Sequence, residues 1–236
     1  MLKIKNISKW YGSNLVLNGV NLECDREQIR SFLGPNGAGK TTTFNIVAGV
    51  ENADGGSIHL NGENVSCLPV HLRAARGISY LTQENSLFRG LTVEENIQIY
   101  LNGVKTNEEN RARGPSWSLE RLNIEELKGR GVNNLSSGQK RKVEIARALV
   151  LSPDYLLLDE PFSDLDPRSV AEIKDVLVSL KEEEEIGVIL SDHRAEEALS
   201  ISDYNYLLDE GKIIAEGDSE EIVESERAKK SYFVEE

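Results

Sequence analysis

Apolar and polar residues alternate from Leu2 to Ser8, the period of a half-buried strand. Trp10-Tyr11-Gly12-Ser13 breaks the alternation, which resumes from Leu15 to Leu22. Ile29 to Leu33 predicts a further strand, and Thr42 to Ala48 a helix that starts near Lys40. Asn52 to Gly56 is turn-rich, Ser57 to Asn61 strand-like, and Ile78 to Leu81 a strand that ends at Thr82-Gln83. Thr92 to Leu101 predicts a helix capped by Thr92, with Glu94 and Glu95 in its first turn. Gly114-Pro115 should stop any helix in the polar segment from Asn102 to Arg113, and Ser118 to Lys128 suggests a short one beyond it. Residues 84–134 therefore differ in character from their surroundings. Val143, Ala146 and Leu149/Val150 share one face of a helix opened by Leu135-Ser136-Ser137-Gly138-Gln139.

The unbroken apolar run of Tyr155 to Leu158 fits a strand buried on both faces, and it ends in Asp159-Glu160. A turn, Ser163 to Pro167, leads to a helix from Arg168 to Leu180, and Gly187 to Leu190 is another buried strand, closed by Ser191-Asp192-His193. Tyr204 to Leu208 and Lys212 to Glu216 form a hairpin. The tail from Ser219 ends near an apolar trio, Tyr232, Phe233 and Val234, expected either to dock a helix or to be partly frayed.

Composition narrows the class. The chain has 236 residues, enough for one α/β domain with a small subdomain, and no apolar run approaches the roughly 20 residues that span a bilayer. The first residues lack a signal-peptide core, so the expectation is a soluble, cytosolic chain held at any membrane by another protein. Cys24 and Cys67 lack a partner motif and are expected to be reduced and structural. Residues 1–115 carry 12 Lys/Arg against 11 Asp/Glu, and residues 116–236 carry 15 against 29. The acidic second half disfavours nucleic acid. Glu182 to Glu185 reads as a solvated helix end, and His59 and His71 as structural or surface residues.

The chemistry gathers around Gly34-Pro35-Asn36-Gly37-Ala38-Gly39-Lys40-Thr41-Thr42, which fits the phosphate-loop template G-x-x-x-x-G-K-[ST]. Glycines let backbone N–H groups face a polyphosphate, and the following helix adds the partial positive charge of its N-terminus. Lys40 would reach the β- and γ-phosphates and the Thr41 hydroxyl would take one position on Mg²⁺. Asp159 would support the Mg²⁺ shell and Glu160 could polarise an attacking water. Ser136 or Ser137 can cap the later helix and leave N–H donors for a second anion site. Tyr11 could stack on a purine or pack within its hairpin. Gln83 and His193 end strands, where α/β sheets place ligand contacts.

Taken in this order and spacing, the phosphate loop, Gln83, Leu-Ser-Ser-Gly-Gln, the strand ending Asp-Glu, Ser-Asp-Leu-Asp and His193 resemble the ATP-binding-cassette (ABC) ATPases over nearly the whole chain. The resemblance implies an α/β fold of the P-loop NTPase type. It would have a mostly parallel RecA-like core sheet, an antiparallel β subdomain, a helical subdomain at about 84–150 and a tail at about 217–236. It implies that Tyr11 stacks on adenine, that Gln83 senses Mg²⁺ and the γ-phosphate, and that Glu160 is the catalytic base. Asp166 would lie in an inter-subunit turn and His193 would be the γ-phosphate switch. Ser136, Ser137, Gly138 and Gln139 would cap the nucleotide of a second subunit, in a head-to-tail homodimer with two ATP molecules between its halves. Two features depart from the family: Ser137 replaces the first of two signature glycines, and the strand before the phosphate loop contains Arg30 and Ser31.

Short cassettes without membrane helices resemble transporter subunits. Arg76 to Gln83, Lys142 to Arg147 and Asp166 to His193 resemble the ATPases of lipopolysaccharide exporters. The segment from Gly217 resembles these and the branched-chain amino-acid importers alike, and soluble cassettes acting on DNA or ribosomes are the alternative of another class. The resemblance implies integral membrane permeases as partners. They would dock in a groove near Phe88, where Leu87, Leu91 and Val93 either line the groove or close the subdomain's own core.

Overall fold

The computed structural model describes residues 1–103 and 108–231, with the backbone alone for 102, 103, 108–113, 230 and 231. Tyr232, Phe233 and Val234 lie outside the described residues, as does part of the polar segment from Asn102 to Arg113.

In chain order the elements are β1 (Leu2–Tyr11), β2 (Asn14–Cys24), β3 (Ile29–Leu33), α1 (Lys40–Ala48), β4 (Gly55–Leu60), β5 (Glu63–Asn64), α2 (Val70–Ala74) and β6 (Ile78–Leu81). Then come α3 (Val93–Gly103), α4 (Glu108–Arg121), α5 (Ser137–Leu149), β7 (Tyr155–Asp159), α6 (Pro167–Glu184), β8 (Gly187–Ser191) and α7 (Ala195–Leu199). The chain continues through β9 (Tyr204–Asp209), β10 (Lys212–Gly217), α8 (Ser219–Glu224) and α9 (Glu226–Ser231).

Two sheets organise the molecule. An antiparallel sheet has the order β2-β1-β4-β5, and a six-stranded sheet the order β10-β9-β3-β8-β7-β6. Within the second, β9, β3, β8, β7 and β6 run parallel and only β10 is antiparallel. Strands β7 and β8 are apolar up to their last residues because both faces are covered. The pleat sorts their side chains: Leu156, Leu158, Val188 and Leu190 join a core with α5 and α6, whereas Tyr155, Leu157 and Ile189 join one with α1 and the antiparallel sheet. Phe32 of β3 stacks on Phe44 of α1 with centroids 6.1 Å apart, and Tyr80 of β6 meets Phe44 edge-on at 6.2 Å.

The two polar residues of β3 both have partners. Ser31 is buried and its hydroxyl donates to Asn205 Oδ1 on the adjacent β9 at 2.6 Å. Arg30 lies over the Tyr204 ring, 4.7 Å from its centroid, and donates to Gln28 Oε1 at 2.8 Å.

Three expectations need correction. Trp10 and Tyr11 do not break the first strand: β1 runs through them to a two-residue turn, Gly12-Ser13, with Tyr11 opposite Asn14. Aromatic side chains suit an extended backbone, and bulges between Ile4 and Trp10 absorb the irregular pattern. No helix covers Ser118 to Lys128: α4 ends at Arg121, Asn123 takes a left-handed φ of 52°, and a single 3₁₀ turn follows at Glu125–Leu127. Cys67 is exposed rather than packed, unlike Cys24, whose thiol burial pushes up to about 12. Elsewhere the local signals hold. Gly114 breaks the helical backbone of α4, with Pro115 just after it, and Glu184 ends α6 with Glu185 as its left-handed cap. Thr92 and Glu95 form a reciprocal cap before α3.

Candidate active site

The phosphate loop joins the C-terminal end of β3 to α1, and its glycines have backbone reasons to be there. Gly34 adopts φ 153°, where a β-carbon would lie 2.2 Å from the Leu208 carbonyl oxygen, and Gly39 adopts φ 111° against Leu17. Gly39 is the N-cap of α1 and supplies no side-chain cap, so the first-turn N–H groups have no side-chain acceptor. No acidic residue occupies that turn. Lys40 is buried and its Nζ donates to the carbonyls of Gly34 at 2.6 Å and Pro35 at 3.0 Å. Burial lowers its pKa against the raising influence of Glu160, Asp159 and Asp192, which places all three acids in its electrostatic environment. The site is therefore built to receive negative charge at a buried cation and an uncapped helix end. Thr41 is exposed, and Thr43, one turn in, bonds back to Gly39.

Across β8 from β3, β7 delivers Asp159 and Glu160. Asp159 is buried at the strand end, where its Oδ1 accepts from Ser191 Oγ and its Oδ2 from Tyr80 OH at 3.5 Å. Desolvation, and then the Asp159 charge, raise the Tyr80 pKa, which keeps that hydroxyl a donor. Glu160 turns the chain sharply with φ 48°, a strained conformation for a residue with a side chain. Its N–H donates to Ser191 O at 2.8 Å and its carbonyl accepts from Arg141 at 2.9 Å. Glu160 Oε2 in turn gathers two side chains from separate strand ends: Gln83 Nε2 donates to it at 2.8 Å, and His193 Nδ1 lies 3.4 Å away. Asp192 next to it is buried and accepts from the N–H groups of Phe162 and Arg194, and its burial raises its pKa.

Tyr11 stands apart from any core. Its ring is 47% exposed, its hydroxyl donates to Glu51 at 2.5 Å, and Lys9 Nζ is 5.4 Å from the ring centroid. Its pKa is raised by desolvation and by the Glu51 bond, and a contact with Thr42 opposes this, which brings the ring beside the phosphate loop.

Ser136 caps α5: its Oγ accepts from the Gln139 N–H at 3.2 Å, and Gln139 Oε1 accepts from the Ser136 N–H. Ser137 is the first residue of α5 and does not adopt a positive φ, so a β-carbon fits where ABC ATPases usually have glycine. Gly138 has no such latitude, because a β-carbon there would lie 2.4 Å from Ser169 Oγ of α6. Ser136 to Gln139 line clefts together with Asp166, Ser169, Gln83 and Asp164, and among the described residues no phosphate-loop residue shares those clefts. Gln83, Glu160 and His193 are thus brought together in one chain, and the signature is not brought to the phosphate loop. Asp166 caps α6, accepting from Arg168 and Ser169.

Arg141, Glu144, Ser191 and Tyr80 had no role that could be read from the sequence alone. Arg141 and Glu144 signalled themselves only as charges among the apolar residues of α5.

The residues present fit a divalent cation of the Mg²⁺ type. Among the described residues no group of three or more His, Cys, Asp or Glu could hold a metal by itself. Mg²⁺ takes few protein oxygens beside phosphates and waters, and the Thr41 hydroxyl and Asp159 carboxylate are donors of that kind.

Comparison with known proteins adds four likenesses. The family model described as ABC transporter matches residues 17–163. The lipopolysaccharide export system ATP-binding protein LptB of Haemophilus influenzae is 42% identical over 235 residues, covering 99% of this chain and 97% of that protein. Among solved structures, the ADP conformation of an ABC transporter's ATP-binding cassette superposes with a TM-score of 0.89 at 28% identity, covering 100% and 99% of the two chains. A dimeric bacterial ABC transporter cassette gives a TM-score of 0.78 at 29% identity, covering 93% and 99%.

Proposed function

The chain belongs to the ABC transporter family, as an ATPase subunit, and from that premise we propose that it powers lipopolysaccharide export. The likeness to a lipopolysaccharide-export ATPase over nearly the full length of both chains supports this reading. The geometric observation that carries the catalytic part is the meeting of Gln83 and His193 on one oxygen of Glu160. We read residues 1–236 as one ATPase domain, with the helical part at about 84–150 inserted in it.

The reaction is ATP and water to ADP and phosphate. The phosphate loop from Gly34 to Thr42 holds the phosphates on backbone N–H groups, and Lys40 offsets the charge spread over the transferred group. Glu160 orients the attacking water and takes up its proton. Gln83 and His193 fix the Glu160 carboxylate and report the γ-phosphate. Tyr11 stacks on adenine with its exposed ring. Thr41 and Asp159, with Gln83, would hold Mg²⁺, which would neutralise phosphate charge when bound.

A second copy, arranged head to tail, supplies Ser136 to Gln139 to the phosphate loop of the first. The separation of those two motifs within one chain supports that arrangement. The helix-capped signature adds its N-terminus to the γ-phosphate from across the interface. No helix among the described residues is long and apolar enough to cross a membrane; in the reading proposed here, permease subunits hold the dimer at the cytoplasmic face of the inner membrane. Leu87 and Val93 are core residues, whereas Phe88 is 46% exposed and free to enter a permease contact. The net charge of −13 does not suit nucleic acid.

The test co-expresses the chain with candidate lipopolysaccharide-export permeases and measures complex recovery and glycolipid extraction. Phe88→Ala should keep the ATPase activity of the isolated chain while complex recovery falls, since truncating an interface aromatic costs about 2 kcal/mol or more. Assembly only with branched-chain amino-acid permeases overturns the export reading. Loss of folding in Phe88→Ala would place the residue in the core.

A further inference from the structure

Helix α5 buries three charged side chains at intervals of three: Arg141, Glu144 and Arg147. Arg141 Nη2 donates to the carbonyls of Asp159 at 3.2 Å and Glu160 at 2.9 Å, and its Nη1 reaches Glu144 Oε2 at 3.2 Å. The other oxygen of the same carboxylate, Oε1, accepts from the Ser86 N–H at 2.8 Å. Arg147 closes the far side by donating to Ser86 O at 2.8 Å, and it lies over the Tyr100 ring of α3. One buried carboxylate therefore touches the support of the Glu160 turn and the loop between Gln83 and Phe88.

Stability alone does not account for this set. Buried ion pairs such as Arg141–Glu144 are often no better for stability than apolar side chains of similar volume. What the charges add is direction: short, oriented bonds that fix two separate segments to one rigid helix. Gln83 also contacts Glu160 directly, and that side-chain bond must give way when Gln83 turns toward a nucleotide. The path through α5 uses main-chain atoms at both ends and does not depend on it.

We infer that Glu144 is a positioning residue that ties the main chain at Glu160 to the Gln83–Phe88 loop, so that α5 carries movement from the ATP site to the permease-facing surface. The inference rests on the proposed role of Phe88 for its purpose, and on the geometry alone for its mechanics.

The test uses the full chain with Cys67→Ser and Glu160→Gln, and an environment-sensitive dye on Arg89→Cys beside Phe88. ATP with Mg²⁺ should change the dye emission saturably. Adding Glu144→Gln, which keeps the shape and removes the charge, should leave the ATP Kd within about threefold and cut the emission change roughly fivefold. Should Glu144→Gln fail to fold, Ser86→Pro removes the same bond from the exposed loop side and should give the same loss. A folded variant with a full emission change overturns the inference, and so does a lowered Tm without loss of signal. A parent that binds ATP without any emission change overturns it too. A parent that binds no ATP refutes the phosphate-site reading instead.

Discussion

At the scale of single residues, the positions that fit local rules worst are the ones whose partners lie far along the chain. Ser31 is polar in a central strand, and its partner, Asn205, is 174 residues away. Asn205 also donates to Gly217 O at 3.2 Å, so the pair ties β3 to the start of the C-terminal segment. Ser31→Ala leaves the Asn205 carbonyl oxygen without that donor in a buried site, and should cost about 1–3 kcal/mol in urea denaturation. An unchanged midpoint would mean that the pair contributes nothing to stability. The phosphate loop, Asp159 and Glu160 were legible because their chemistry is written in consecutive residues. Arg141 and Glu144 were not, because a charged residue in a helix reads as solvent-facing until the neighbouring segments are in place.

The elements show the same division. Caps at Thr92, Ser136 and Asp166 and the break at Gly114 are local and could be read directly. The extension of β1 through Trp10 and Tyr11 is imposed by pairing with β2, and the failure of a helix after Arg121 by the left-handed turn at Asn123. The α5–α6 contact gives a prediction of its own kind. Gly138→Ala must push Ser169 and α6 aside, and overpacking of this sort costs about 1–3 kcal/mol. Ser137→Gly, one residue earlier, meets no such wall and should change stability by less than about 1 kcal/mol. Thermal melts of the two variants make the comparison, with Gly138→Ala plus Ser169→Gly expected to regain part of the loss. Equal effects of the two single substitutions would show that the close approach of the helices does not matter.

For the whole molecule, the proposed arrangement, in which a second copy completes each ATP site, can be tested in one measurement. Glu160→Gln should retain ATP binding while turnover falls about 10²-fold or more, since water activation is lost and phosphate contacts are not. Light scattering should then report twice the monomer mass with ATP and the monomer without it; a monomer under both conditions would refute the two-copy arrangement for the isolated chain. The order of the six-stranded sheet has a further consequence, in time rather than in space. Among the described residues, the strand that ends in the phosphate loop, β3, pairs only with β8 and β9, whose residues lie more than 150 positions downstream. On the ribosome, the phosphate loop therefore emerges long before the strands that hold its stem in the sheet. A nascent chain should remain blind to ATP until about Leu207 has left the exit tunnel. Spending nucleotide, or meeting a partner in an ATP-dependent way, then has to wait until β8 and β9 have been made.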